Sequence, residues 1–251
     1  MIQRRYHRLL DLNKIRRAAE LRWHAVLIII AILVFINIAA GTIFGPKLNR
    51  LSHIELSGVV KITTANGIGT GFVVSNKLIL TAAHVAGDVG ETVTISRKEQ
   101  SITEGKIVAS GYKEFIKYAI NDSQFSEEAT PHDWALIETS GLPPNIEPLI
   151  CGSINEAVQG NTVYMVGHPR GEPLTVSKGI ISRLDSDRVF TDGELDPGFS
   201  GGPMIICNDD NIENGVVIGI IVSKPENYGT LGTALAVDVV IDKCMKAGYS
   251  F

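Results

Sequence analysis

The sequence predicts an all-β domain, a sandwich or barrel, carried behind a single N-terminal apolar helix. Three observations lead there. About twelve short apolar runs are separated by Gly, Asn, Asp and Pro turns. From residue 53 onward helical periodicity is nearly absent, until one amphipathic stretch closes the chain at about 238–248. The 21-residue run 25–45 has only Asn37 and Thr42 as polar side chains.

The apolar run comes first in the chain. As a helix it spans about 32 Å, against a bilayer hydrocarbon core of about 30 Å. Trp23 sits at its edge, where an amphipathic ring favours the interface. Seven basic residues and only Asp11 and Glu20 occupy residues 1–45, a net +5. The basic residues precede the run, so residues 1–24 are expected in the cytoplasm, 25–45 across the membrane and the rest outside. The basic stretch reads as a topogenic signal in contact with lipid headgroups. A cleaved signal peptide ending near Ile38-Ala39-Ala40 is one alternative. A buried helix of a soluble domain is another, although such a helix should show a polar face. Residues 46–52 form a short linker that keeps the domain, 53–251, near the bilayer.

The chain as a whole has net charge −4, so the part after residue 45 carries −9. A body this acidic does not bind nucleic acid by neutralising phosphates. At 6% aromatic residues it also offers few rings for base stacking. Hydrophobic residues at 45% and charged residues at 20% exclude a disordered chain. Strands are expected at 54–63, 71–74, 78–80, 93–96, 107–109, 134–138, 162–166, 179–181, 189–191, 203–206, 216–222 and 233–237. So many short strands with one terminal helix suit a sandwich or barrel. Residues 111–131 are polar and poorly patterned, and are expected to form a long loop running into Asp133. Cys151, Cys207 and Cys244 are too few and too scattered for a disulfide framework or a zinc site. They read as small buried thiols with at most one bridge.

Three segments carry chemistry: Thr81-Ala82-Ala83-His84-Val85, His132-Asp133-Trp134-Ala135-Leu136-Ile137 and Asp196-Pro197-Gly198-Phe199-Ser200-Gly201-Gly202-Pro203. A serine hydroxyl is a weak nucleophile and needs a base within hydrogen-bond reach. His84 can be that base, since imidazole titrates near neutral pH. A buried carboxylate, Asp133, would fix the tautomer of His84 and stabilise the imidazolium. Acyl transfer through Ser200 makes an oxyanion, best met by backbone N–H groups in a tight turn. Gly198 and Ser200 are assigned as those donors. A Gly-x-Ser-x-Gly run also occurs at α/β-hydrolase elbows, but there the histidine comes last in the chain, and here it comes first.

These three blocks, in this order, resemble the trypsin-like serine peptidases, and the likeness is nearest to the membrane-anchored HtrA type. It covers about residues 58–246. The approach Thr191-Asp192-Gly193-Glu194-Leu195, the strands around Val163–Gly167 and 177–182, and the closing strands at 217–220 and 235–237 carry the likeness further. The resemblance implies two six-stranded antiparallel β-barrels, about 53–140 and 146–240, followed by the short C-terminal helix. It implies a serine endopeptidase acting on protein or peptide substrates through His84, Asp133 and Ser200, with no metal or organic cofactor. It places Glu194 or Leu195 at the primary specificity pocket, with Leu195 the better candidate. It gives Val222, Ser223 and Lys224 to the substrate backbone. His132 and His168 read as a neighbour of Asp133 and a turn residue, not as metal ligands.

The departures from the resemblance also matter. Phe199 stands where zymogen-activated relatives carry an aspartate that pairs with a new N-terminus, so activation by N-terminal cleavage is not expected. No PDZ domain is expected before Phe251. A catalytically inactive, peptide-binding relative, a viral-type membrane-anchored processing protease and a soluble secreted peptidase remain as alternatives.

Overall fold

The computed structural model describes residues 56–65, 67–98, 100–119, 128–207, 211–223 and 231–251. The apolar run at 25–45, the linker at 46–52 and Lys224 lie outside the described residues.

Twelve strands form two closed barrels of six. The first contains β1 (Val59–Thr64), β2 (Gly67–Val73), β3 (Leu78–Thr81), β4 (Thr92–Arg97), β5 (Gln100–Ser110) and β6 (Ala135–Thr139). Its order is β1-β2-β3-β6-β5-β4, closed by pairing of β1 with β4. The second contains β7 (Thr162–Gly167), β8 (Thr175–Leu184), β9 (Arg188–Thr191), β10 (Pro203–Ile206), β11 (Val216–Ser223) and β12 (Gly232–Ala236). Its order is β10-β11-β12-β9-β8-β7, closed by β10 against β7. All the pairings between strands within the two barrels are antiparallel. Closure removes the unpaired edges that an open sheet would expose.

The period-2 alternation of a strand sorts its side chains between two hydrophobic clusters. On β7, Val163 and Met165 join Ile181, Val189 and Met204 in one of them. Tyr164 and Val166, on the opposite face, join a cluster that includes Val60, Leu80 and Leu136 of the first barrel. β7 and β11 of the second barrel are therefore buried on both faces. That is why β11 reads Val-Val-Ile-Gly-Ile-Ile-Val with hardly a polar break. Each fully buried Val, Leu or Ile contributes about 1.5–3 kcal/mol.

Three α-helices are described: α1 (Ala83–Ala86), α2 (Tyr112–Tyr118) and α3 (Val237–Lys246). Val237, Val240 and Cys244 form the buried stripe of α3, and this is the terminal amphipathic stretch expected from sequence. Two expectations need correction. The segment 111–131 is not loop throughout, since it contains α2 and the start of a 3-10 turn at Thr130–His132. Only Phe115 of α2 is buried, so seven residues gave no apolar periodicity to detect. The first strand does not reach back through residue 56. The Leu56 carbonyl accepts the Val59 N–H at 3.0 Å, a turn that ends where β1 begins. Cys151, Cys207 and Cys244 are all free thiols.

Candidate active site

The first part of the site hangs on the end of β3. Thr81 ends that strand and Ala82 leads into α1, which carries His84. Ala82 and Ala83 are fully buried, which leaves the turn no room for longer side chains. Asp133 follows the 3-10 turn Thr130–His132, whose Pro131 fixes the backbone at its start. Asp133 binds His84 twice: Oδ1 accepts the His84 backbone N–H at 2.9 Å, and Oδ2 lies 2.7 Å from Nδ1. The aspartate is 0% exposed and the imidazole 22%. A buried carboxylate on Nδ1 places the proton there and leaves Nε2 as the base.

Two neighbours frame this pair. The Phe115 ring lies 6.1 Å from that of His84, so α2 covers the imidazole. Tyr118 stacks on His132 at 5.5 Å. Burial, reinforced by the charge of Lys243, holds the His132 pKa below the ordinary 6.5. Lys243 of α3 donates to the Pro131 carbonyl, tying the C-terminal helix to the turn before Asp133.

Ser200 lies on a turn between β9 and β10. Gly198 has φ +106 and Gly201 φ +83, a region in which an L side chain is strained. A Cβ on Gly198 would stand 2.3 Å from the His168 carbonyl oxygen, and one on Gly201 2.1 Å from that of Thr70. Phe199 is buried in the hydrophobic cluster of the second barrel. The Ser200 carbonyl accepts the Thr70 N–H at 2.8 Å. A Cβ on Gly69 would stand 3.0 Å from that carbonyl oxygen and 2.5 Å from a methyl of Val85. The nucleophile turn and the helix carrying His84 therefore meet over β2. Among the described residues the structure shows no side-chain hydrogen bond of Ser200 beside its carbonyl's bond to Thr70, and the Ser200–His84 bond remains an expectation of the site. Such bonds are often long without substrate and tighten when it binds. The N–H groups of Gly198 and Ser200 likewise have no acceptor among the described residues.

The remaining sequence-predicted residues fall as follows. Glu194 is exposed, while Leu195 is half-buried. The Leu195 Cδ1 lies 2.4 Å from where a Cβ on Gly232 would stand, so Gly232 leaves the space that Leu195 occupies. Val222 is buried near the end of β11, and Ser223 ends that strand. His168 lies in the second barrel at the start of a 3-10 turn, with Nδ1 on the Glu172 carbonyl at 3.1 Å, while His132 stacks under Tyr118 beside Asp133. Among the described residues no cluster of three or more His, Cys, Asp or Glu side chains is arranged to hold a metal.

Sequence reasoning missed Thr70 and Thr81. Both are fully buried polar residues, and the Thr81 hydroxyl donates to the Thr70 carbonyl at 2.6 Å. The signal was present in Gly69-Thr70-Gly71, a polar residue held between two glycines in a strand. Gly69 and Gly71 have no spare room, so other chain elements must crowd this strand.

Residues 69–220 match the trypsin-like peptidase domain family. This chain belongs to the trypsin-like peptidase family. The peptidase domain is 30% identical over 154 residues to a putative Do-like 3 protease, mitochondrial, of Arabidopsis thaliana, covering 56% of this chain and 24% of that protein. It is 27% identical over 190 residues to a probable periplasmic DegP-like serine endoprotease of Pseudomonas putida W619, covering 71% and 34%. The chain thus spans about a quarter to a third of the length of these relatives. The peptidase fold is shared with the active form of the Rv3671c protease of M. tuberculosis. The TM-score is 0.57 at 24% identity, over 78% of this chain and 82% of that one. A serine endoprotease of Yersinia pestis gives TM-score 0.57 at 22% identity, over 76% and 63%.

Proposed function

We propose that this chain is a serine endopeptidase that cleaves proteins or peptides through Ser200, His84 and Asp133. The observation that carries the reading is the double hydrogen bond from fully buried Asp133 to His84. A carboxylate withdrawn from water on Nδ1 orients the imidazole and stabilises its protonated form. His84 Nε2 takes the Ser200 Oγ proton as Oγ attacks the carbonyl carbon. The oxyanion is held by the N–H groups of Gly198 and Ser200. His84 then gives its proton to the leaving amine, and water resolves the acyl-enzyme by the reverse path. The substrate backbone lies along the end of β11, at Val222, Ser223 and Lys224, as an added strand. Leu195 against Gly232 makes an apolar specificity pocket, so Glu194 does not select basic residues.

The apolar run at 25–45 is read as a retained membrane anchor, with the N-terminus cytoplasmic and the catalytic domain outside. The test has two arms. Purified full chain should degrade unfolded casein, and Ser200→Ala and His84→Ala should not; a wild type that binds casein without cleaving it supports an inactive, peptide-binding relative. In intact spheroplasts, added protease should reach a C-terminal tag and spare an N-terminal one, and the opposite pattern overturns the orientation.

A further inference from the structure

Two N–H groups are useful to an oxyanion only if the peptide planes that carry them are fixed. In a trans peptide the N–H points opposite to the C=O. The Gly198 N–H is therefore aimed by the Pro197 carbonyl, which accepts the Arg170 N–H at 2.7 Å. The Ser200 N–H is aimed by the Phe199 carbonyl, which accepts the Gly202 N–H at 2.9 Å. Arg170 itself sits at φ +54, an uncommon backbone state for a residue with a side chain, which the surrounding turn must enforce. Its guanidinium lies 3.8 Å from Asp196, but both groups are well exposed, so the ion pair cannot be the main restraint.

The restraint comes from the other barrel. The Thr70 hydroxyl donates to the Gly198 carbonyl at 2.6 Å and accepts the His168 N–H at 2.9 Å. A hydroxyl has one hydrogen to give, so these directions are fixed. One side chain thereby couples the nucleophile turn to the turn that carries Arg170. The Thr70 N–H also holds the Ser200 carbonyl, and its own carbonyl is held by Thr81. Thr70 is 0% exposed, so water cannot replace its hydroxyl. The Phe199 side chain offers only packing at this point.

We infer that Thr70 is a positioning residue for the oxyanion hole: its hydroxyl locks the 196–200 turn to the 168–171 turn and keeps the Gly198 N–H aimed at the reacting carbonyl. The inference rests on the peptidase reading above. Removing the hydroxyl unties the His168–Arg170 turn, whose Arg170 N–H holds the Pro197 carbonyl, so the Pro197–Gly198 peptide is free to turn its N–H away; the loss of one oxyanion donor costs about 10²–10³ in rate.

The test uses the full chain in detergent with p-nitrophenyl acetate, whose burst amplitude counts competent serines and whose burst rate reports acylation. Thr70→Val should lower the burst rate about 10²-fold or more per titrated site. Thr70→Ser should restore it to within about threefold. Thr70→Cys keeps the volume with a weaker donor, so it should fall between them and serve if the valine variant does not fold. A purely structural role would reduce the amplitude and leave the rate per site unchanged. That result in the valine or cysteine variant overturns the inference while the peptidase reading stands. Absence of any burst in the wild type overturns both.

Discussion

Asp133 meets His84 at two points, the backbone N–H at 2.9 Å and the ring Nδ1 at 2.7 Å, from a position that solvent does not reach. The two bonds act differently. The backbone bond fixes where α1 sits against the Thr130–His132 turn, and the ring bond fixes the tautomer. Asp133→Asn should keep much of the first and spoil the second, because an amide nitrogen facing Nδ1 forces the proton onto Nε2. Turnover should fall about 10⁴-fold with a Tm close to wild type. Steady-state kinetics beside a thermal melt checks this, and a fall of less than tenfold contradicts the assigned role.

Gly201 should tolerate no side chain. At φ +83 its Cβ would stand 2.1 Å from the Thr70 carbonyl oxygen and 2.2 Å from the Thr81 hydroxyl. Neither is the free end of a flexible chain. Gly201→Ala should lose Tm and burst amplitude together, with at least about 1–3 kcal/mol of backbone strain. A variant with wild-type Tm would show that β2 does not press on the nucleophile turn.

The cysteines give a chemical test of burial. Desolvation pushes the Cys151 and Cys244 thiols up to about 12 from an ordinary 9.0. At pH 8 that lowers the thiolate fraction about a thousandfold. Native protein treated with iodoacetamide should leave both unmodified, while protein in denaturant is alkylated at all three positions. Mass mapping that finds Cys244 alkylated at the native rate of a free thiol would contradict the packing of α3.

Acid sensitivity should trace partly to His132. Its folded pKa lies below 6.5, chiefly through burial and then through Lys243, with Lys117 acting the same way and Glu114 opposing. The unfolded chain therefore binds more protons at this site as pH falls below 6.5, and stability is lost from that point downward. Tm measured at pH 7.5 and pH 5.5 should drop less in His132→Gln than in wild type. An equal drop in both would remove His132 from the account.

Much of this was legible in the sequence, and for identifiable reasons. Runs such as Leu78–Thr81 and Pro203–Ile206 are buried along most of their length, and an apolar run bounded by turns signals itself. In β5 and β8 only 107–109 and 179–181 signal a strand, near the end of the first and the middle of the second. Their outer residues, from Gln100 and from Thr175, are largely exposed and polar and give no such signal. α2 was missed because one buried Phe115 in seven residues makes no pattern. His84, Asp133 and Ser200 stand out as candidates in the sequence because each lies in a stretch whose neighbours are constrained: alanines in the tight turn, a β-run after the aspartate, glycines around the serine. Thr70 is marked in the sequence only as a polar residue between two glycines; its role depends on bonds to His168 and Gly198, about a hundred residues away, which that local pattern does not encode.

The central claim is that Ser200 is a nucleophile activated by His84. The most direct measurement is fluorophosphonate labelling of the full chain, followed by peptide mass mapping. The account predicts one phosphonate per chain, on Ser200, with labelling abolished in His84→Ala while that variant keeps its fold. A folded wild type that takes no label, or takes it on another serine, would contradict it.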